Sequence, residues 1–302
     1  MQNHTQYSRL RFWDPGYHNT PLPGFSIKRK PDIMLLDIPK LDSVNKEVQW
    51  PCVRAVCEVT KNSIFHGRIR YTIVSKAFIM MNSQLNRRFI PSLSIIGDQF
   101  LFTACDRAGV IHSIHYHLHR DALVFLRILV GFMFGNNYLI GHDPSMRQNE
   151  KDEITGITIA GQEYEVVRKL FFSPSLRGRA TQCWHVKRDG QEYIIKDCWI
   201  QVGRTHSEIA MLERIKDVTC VPTIICGEDL QLPDSGGADS TTVIRRGEAV
   251  ESEERIHRRI LMTPVGESIF SFTSKKELIG GFIDIIEGTH LRSVLCTKQL
   301  LI

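Results

Sequence analysis

The alternation of apolar and polar residues is clearest between Tyr164 and Cys226, and it predicts a small antiparallel sheet that carries one helix. Ile209, Leu212 and Ile215 recur at helical spacing within this stretch. Arg188-Asp189-Gly190 has turn chemistry and predicts a hairpin. The predicted strands are Tyr164–Phe172, Cys183–Lys187, Tyr193–Lys196 and, after the helix, Val221–Cys226.

The residues before this stretch predict a second set of strands and helices. A polar, turn-rich segment at Gly141–Gly156 separates the two sets and predicts a domain boundary. Patterning predicts strands at Pro31–Leu36 and Val53–Thr60, a helix at Ile69–Gln84, a hairpin of Phe89–Ile96 and Gln99–Cys105 around Gly97-Asp98, and a buried helix within Ala122–Ile140.

The predicted fold class is therefore α+β, and the chain divides into three parts. Residues 1–24 are polar and rich in proline and glycine, so we expect a loosely held arm. Residues 25–150 form an N-terminal α/β domain and residues 157–302 form the second domain. Within the second domain, the composition of residues 228–254 predicts a disordered insert.

Composition and charge exclude several classes of protein. The hydrophobic content of 42% and the charged content of 24% are ordinary for a globular chain. The net charge of +5 comes from scattered basic residues, which argues against a nucleic-acid groove. Eight cysteines without a C-x-x-C pair favour a reducing compartment, cytoplasm or nucleus. The first residues lack an apolar core typical of a secretory signal, and Arg127, Gly131 and Gly135 interrupt the most apolar run, so no membrane segment is expected.

Lys196 and Glu208 are the strongest candidates for chemistry. Lys196 ends an alternating strand, Tyr-Ile-Ile-Lys, much as the phosphate-binding lysine ends Val-Ala-Ile-Lys in protein kinases. Glu208 lies on the following helix and could hold the flexible lysine in place by its charge. Leu176–Cys183 keeps only Gly178 of the three glycines in a G-x-G-x-x-G loop. A surface lysine and a solvated glutamate explain either residue taken alone.

Several blocks of the sequence resemble the fungal-type protein kinase (FunK) family. The resemblance covers roughly residues 25–290. The blocks are Arg177-Gly-Arg-Ala-Thr-Gln-Cys-Trp-His-Val186, Glu192-Tyr-Ile-Ile-Lys-Asp197 and His257-Arg-Arg-Ile-Leu-Met-Thr-Pro-Val-Gly266, with Arg87-Arg-Phe-Ile-Pro-Ser-Leu-Ser-Ile95 and Asp106-Arg-Ala-Gly-Val110 upstream.

The resemblance implies a kinase-like N-lobe followed by the first helices of a C-lobe. It implies ATP with Mg²⁺ as cofactors, a nucleotide and a protein as partners, and phosphoryl transfer to a protein serine or threonine. By resemblance, Lys196 fixes the phosphates, Glu208 anchors Lys196 and Gly178 lies in the loop over the phosphates. Pro264-Val-Gly266 corresponds to the hinge between lobes, and Met262, Thr263 and Val265 correspond to contacts with adenine.

The motifs that complete a kinase active site are absent from the sequence. After Lys196 there is neither an H-R-D-x-x-x-x-N loop nor a D-F-G triplet. His119-Arg120-Asp121 precedes Lys196 and has Leu126 where the asparagine belongs. We therefore expect no turnover by the chain as given, and we expect an exposed apolar patch at Phe282–Ile286 and Leu291–Leu301. Ser274 and Glu277 have the spacing of a capping box at the start of that region.

Two further functions stay open. The first is a non-catalytic scaffold, which the reduced glycine loop favours. The second is a degenerate nuclease of the PD-(D/E)XK type with Asp32 and Glu58 as metal ligands; Thr60 stands where that motif has lysine, and Lys61 points to the opposite strand face. Alternating His115, His117 and His119 could also hold a metal, but no second ligand cluster accompanies them.

Overall fold

A computed structural model describes the chain except for residues 1–9, 18, 38–46, 62–65, 204–206, 217–220, 234–235, 246–252, 267–270, 285 and 287–302. The architecture is α+β, with mixed sheets and few helices. The chain forms two compact units. The first comprises Met1–Thr155, Pro174–Ala180 and Ser240–Arg255, and the second comprises Gly156–Ser173, Thr181–Asp239 and Ile256–Ile302. The division at Thr155 falls at the end of the polar segment that predicted a boundary.

The first unit contains a sheet in which six strands follow chain order and a seventh pairs with the fifth. The strands are β1 (Arg11–Asp14), β2 (Ile33–Asp37), β3 (Val53–Thr60), β4 (Phe89–Ile96), β5 (Gln99–Asp106) and β6 (Gly109–His112), with β7 (Tyr116–His117) beside β5. β3 and β4 run parallel, and helix α1 (His66–Ser83) connects them along the chain. A parallel pair needs such a crossover, whereas the antiparallel β4–β5 hairpin needs only a short turn. The predicted helix and hairpin are confirmed.

Alternation along the strands gives this sheet two apolar faces. Met34, Val56 and Ile90 pack with Ile73 and Ala77 of α1. Residues of the opposite face pack with helix α2 (Ala122–Phe134). The prediction of a buried helix here is correct for one side of α2 only, because its other side leaves an apolar row exposed. That row is Leu123, Leu126, Val130 and Phe134.

The N-terminal segment is less loosely held than its composition suggests. Arg11 of β1 is buried, and its guanidinium donates to the carbonyl oxygens of Phe132 at 3.0 Å and Gly135 at 2.7 Å. The last carbonyls of a helix lack partners within the helix, so a buried arginine can satisfy them. This long-range contact anchors a segment that turn-forming residues alone predict to be free.

The segment predicted as a disordered insert also contains ordered structure. Helix α4 (Thr241–Ile244) lies within it, capped by the Ser240 hydroxyl, which accepts from the Val243 N–H at 3.3 Å. Arg245 donates to both carboxylate oxygens of Asp106, at 2.7 and 2.8 Å, and both side chains are buried. A polar composition predicts too little burial for order, but here a bidentate ion pair supplies the attachment. The prediction of disorder is therefore wrong for these residues.

The second sheet has seven strands: β8 (Met146–Gln148), β9 (Ile154–Ile159), β10 (Gln162–Phe172), β11 (Gln182–Arg188), β12 (Gln191–Gln201), β13 (Thr223–Asp229) and β14 (Arg255–Thr263). Their order in the sheet is β13-β14-β12-β11-β10-β9-β8. The predicted strands and the hairpin turn after Arg188 are confirmed, with Asp189 and Gly190 both at positive φ. Helix α3 (Glu208–Arg214) follows β12.

A further helix covers residues 275–284. The Ser274 hydroxyl accepts from the Glu277 N–H at 3.2 Å, and the Glu277 carboxylate returns to the Thr273 N–H at 2.7 Å, so the predicted capping-box spacing is used. Ile279, Phe282 and Ile283 of this helix are exposed, as expected of an apolar patch here. Leu291–Leu301 lies outside the described residues.

Candidate functional site

Lys196 and Glu208 are brought together in the second unit. Lys196 lies on β12 opposite Cys183 of β11, and its ammonium donates to the Glu208 carboxylate. Glu208 is the first residue of α3, where a carboxylate also interacts favourably with the helix dipole. The two side chains are 19% and 29% exposed, so the ammonium remains within reach of an anion from solvent.

Helix α3 holds Glu208 in position by packing on the sheet. Leu212 and Ile215 form a cluster with Ile260 and Met262 of β14. Gly227 of β13 lies close to this helix, since a Cβ atom there would lie 2.6 Å from the end of the Ile209 side chain, which would have to shift. The pairing of Lys196 with Glu208 therefore depends on apolar contacts on the same face of the sheet.

The next residue of β12, Asp197, points to the other face and belongs to a buried ionic network. Its carboxylate accepts from the Arg259 guanidinium at 2.8 and 2.6 Å and lies 2.8 Å from Nε2 of His257. The Asp239 carboxylate lies 3.1 Å from Nδ1 of His257, and the Trp199 ring stacks on the imidazole at 4.6 Å. A carboxylate therefore faces each ring nitrogen of His257.

The charges of this network set the pKa of Asp197. Burial alone raises the pKa of this carboxyl, but the charges of His257 and Arg259, together with their hydrogen bonds, outweigh burial and lower it. Asp197 is therefore ionised at neutral pH despite being 2% exposed. The network holds β12 in place at Asp197, the residue next to Lys196, and so helps to position the candidate site.

Sequence reasoning missed this network, although a signal was present. His257 and Arg259 are two residues apart on a strand, so they share one face. Two cationic side chains on the buried face of a strand require nearby carboxylates. The partners Asp197 and Asp239 come from distant parts of the chain, and alternation alone does not identify them.

The residues that correspond to a kinase hinge lie at the end of β14. Met262 pairs with Ile224 and Thr263 with Thr223 of β13, and Val265 follows the strand half-buried. Met262 is buried in the cluster that supports α3. Their contact with adenine stays a prediction.

Gly178 belongs to the first unit, whereas Lys196 and Glu208 belong to the second. Gly178 has a φ of +121° and donates its N–H to the Arg107 carbonyl oxygen at 2.9 Å. This backbone conformation is one that glycine adopts readily. Its role over nucleotide phosphates stays a prediction.

His119-Arg120-Asp121 has a structural role at the start of α2. The Asp121 carboxylate accepts the His117 N–H at 2.8 Å, and that hydrogen bond, aided by Arg120, lowers the pKa of Asp121. His117 pairs with Asp98 at 3.0 Å. The strand ends at His117, so the three alternating histidines do not share one strand face.

A model of the family described as fungal protein kinase matches residues 30–301. The chain belongs to this family. Members of a protein kinase family use ATP and Mg²⁺ and act on proteins, which agrees with a lysine–glutamate pair on a strand and helix. Searches of curated proteins and of solved structures found no match. Among the described residues, no helix of this family member combines the length and apolar content needed to cross a membrane.

Proposed function

We propose that the second unit is a kinase-type N-lobe that binds the phosphates of ATP through Lys196. The observation that carries the proposal is the contact between the Lys196 ammonium and the Glu208 carboxylate. A lysine has a long flexible stem, and a partner carboxylate restricts it to one direction before the nucleotide arrives. The pair is partly exposed, so its positive end can exchange a carboxylate contact for contacts with phosphate.

The residues present fit a nucleotide better than they fit the complete catalytic reaction. Lys196 supplies a positive charge for phosphates, and Met262, Thr263 and Val265 supply backbone groups at the hinge position for adenine. Bound Mg²⁺ would neutralise phosphate charge, but the sequence contains neither the D-F-G aspartate nor the catalytic-loop asparagine that hold it in kinases. The proposed activity of these residues is therefore nucleotide binding.

Protection of Lys196 from chemical labelling tests this function. An acyl-phosphate analogue of ATP should acylate Lys196, and excess ATP should prevent this reaction. Lys187 is a matched control, because it lies on the neighbouring strand β11 and also pairs with a carboxylate, Glu165 at 3.3 Å, yet has no proposed role. Equal labelling of Lys196 with and without ATP would sink the proposal and favour a scaffold that binds no nucleotide.

A second candidate function concerns the first unit, where one contact supports a degenerate PD-(D/E)XK nuclease. Thr60 stands in place of the motif lysine, but Lys76 of α1 donates to the Glu58 carboxylate and could take that role. Mg²⁺-dependent cleavage of DNA that disappears in Glu58→Ala would support this function. Absence of cleavage by the full chain would reject it and leave the nucleotide-binding proposal untouched.

A further inference from the structure

The connection between β10 and β11 carries the glycine that corresponds to a phosphate-covering loop, and its middle, Pro174–Ala180, belongs to the first unit. Arg107 holds this loop at two points. Its guanidinium donates to the Ser175 carbonyl oxygen at 2.8 Å, and its own carbonyl oxygen accepts the Gly178 N–H at 2.9 Å. Arg107 is 1% exposed, so both contacts are made by a residue that is itself fixed in the core.

Two further contacts attach the same loop to other parts of the first unit. Oδ1 of Asn82, on α1, accepts the Ser175 N–H at 3.1 Å. The Asn82 amide group is itself oriented, because it donates to the Phe78 carbonyl oxygen at 2.6 Å. Leu176 packs against the apolar cluster that α1 forms with the first sheet. Hydrogen bonds and an apolar contact therefore hold the loop together, over four consecutive residues.

The turn that carries Arg107 is built to stay in place. The Asp106 carboxylate accepts two N–H groups of this turn, at 2.8 and 3.0 Å, and both of its oxygens also accept from Arg245. The side chain of Asp106 is fully buried. The block Asp106-Arg-Ala-Gly-Val110, which resembles the kinase family, therefore forms the support to which the loop is attached.

The backbone of the loop adopts a conformation that needs such support. Ala180 has a φ of +44° and is 4% exposed, two residues after Gly178 at +121°. Residues other than glycine rarely adopt a positive φ, and they keep it where the surrounding contacts impose it. We therefore expect the loop to change conformation when the contacts of Arg107, Asn82 and Leu176 are lost.

The contacts occupy the groups that a phosphate-binding loop uses. Such a loop directs backbone N–H groups at phosphate oxygens. Each backbone N–H has one hydrogen to donate, and those of Ser175 and Gly178 are donated to oxygens of Asn82 and Arg107. Phosphate oxygens would have to replace these protein oxygens. Attachment of the loop to the first unit and contact of the loop with a nucleotide are therefore competing states.

We propose that the first unit restrains nucleotide binding by holding Pro174–Ala180 in a conformation that withholds its N–H groups from phosphates. The inference rests on the proposed binding of ATP through Lys196 and names the regulation of that site. While the loop is held, Lys196 contributes its charge without help from the loop. The apparent affinity for ATP is then reduced according to the fraction of molecules in which the loop is released. Arg107 and Asn82 are positioning residues in this scheme.

Acylation of Lys196 by the acyl-phosphate analogue, measured in the full chain over a range of ATP concentrations, tests the restraint. Asn82→Ala removes the acceptor of the Ser175 N–H, and Leu176→Ala removes the apolar contact. Each should lower the ATP concentration that gives half-protection by about three- to tenfold. Val48→Ala is the matched control, because Val48 is also half-buried against the same apolar cluster but lies outside the loop. It should leave half-protection unchanged.

The outcomes separate this inference from the proposed function. A general loss of stability would affect Leu176→Ala and Val48→Ala alike, whereas the restraint predicts stronger protection in Leu176→Ala and Asn82→Ala alone. If ATP protects the native chain and these two variants equally, or protects the variants less well, the restraint is overturned and nucleotide binding stands. If ATP protects Lys196 neither in the native chain nor in any variant, nucleotide binding is refuted and the restraint with it.

Discussion

The Asp197 carboxylate lies 2.8 Å from Nε2 of His257, deep in the second unit and one residue from the candidate phosphate-binding lysine. Arg259 holds the other oxygen of the same carboxylate. Asp197 of the buried network and Lys196 of the partly exposed Lys196–Glu208 pair thus share strand β12 but point to opposite faces of the sheet. Stability and nucleotide binding can be separated experimentally because different side chains carry them.

Asp197→Asn should destabilise the protein by about 3–5 kcal/mol at neutral pH. The substitution leaves Arg259 and His257 buried with one carboxylate between them where two had been. Urea denaturation followed by tryptophan fluorescence gives the change. Asp189→Asn is the matched control, because Asp189 lies in an exposed turn at a φ of +52° that asparagine tolerates, and it should change stability by less than about 0.5 kcal/mol. A similar decrease in the free energy of unfolding of both variants would contradict the placement of Asp197 in a buried ionic network.

The lowered pKa of Asp197 predicts acid-dependent stability. Its carboxyl has a pKa below the ordinary 3.8 in the folded state, so the folded state binds fewer protons than the unfolded state in acid. Its contribution is present above the ordinary pKa and is lost as pH falls towards the folded pKa. Between roughly pH 5 and pH 2, the native chain should lose stability more steeply than Asp197→Asn, as denaturation at a series of pH values would show. If the free energy of unfolding fell equally steeply with pH in the native chain and in Asp197→Asn, the prediction would be refuted.

Glu208→Gln should weaken nucleotide binding while changing stability little. The neutral amide no longer restrains Lys196 by charge, so ATP protection of Lys196 should require more nucleotide. Because both side chains are partly exposed, the free energy of unfolding should change by less than about 1 kcal/mol. Unchanged protection would show that Glu208 does not position Lys196.

Two phenylalanines of α2 should respond very differently to truncation. Phe132 is 3% exposed and packs edge-on against Trp13 at 5.4 Å, whereas Phe134 is 53% exposed. Phe132→Ala should cost about 3–5 kcal/mol, through lost contacts and a cavity. Phe134→Ala should cost less than about 0.5 kcal/mol. Similar thermal-unfolding midpoints for the two variants would contradict the burial of Phe132 and the exposure of Phe134.

Local patterns predicted much of the second unit, because alternation and turn chemistry act over a few residues. The hairpin at Asp189-Gly190 and the placement of Lys196 and Glu208 on strand and helix follow from such patterns. The pairing of Arg245 with Asp106 does not follow from such patterns, because the two residues are 139 positions apart and no local signal identifies the partner. Composition suggested disorder there because it measures mean polarity and not individual ion pairs.

The position of Lys76 on its helix is a local signal that could have predicted a buried ion pair. It falls on the same helical face as Ile73 and Ala77, which contact the core. A lysine on a buried face demands a carboxylate, and Glu58 was already a candidate ligand from the sequence. The contact itself depends on how α1 packs over β3, which periodicity does not specify.

The alternation of β12 has a consequence for folding fidelity. A slip of one residue in its pairing would exchange the two faces, moving Lys196 into the space beside Arg259 and bringing Asp197 to solvent. The slipped chain would then bury Lys196 beside Arg259 and His257 and would lose the Asp197 carboxylate from the network. The ionic network therefore destabilises folding intermediates in which β12 pairs in the wrong register. The correct register is also the one that places Lys196 on the face where it meets Glu208.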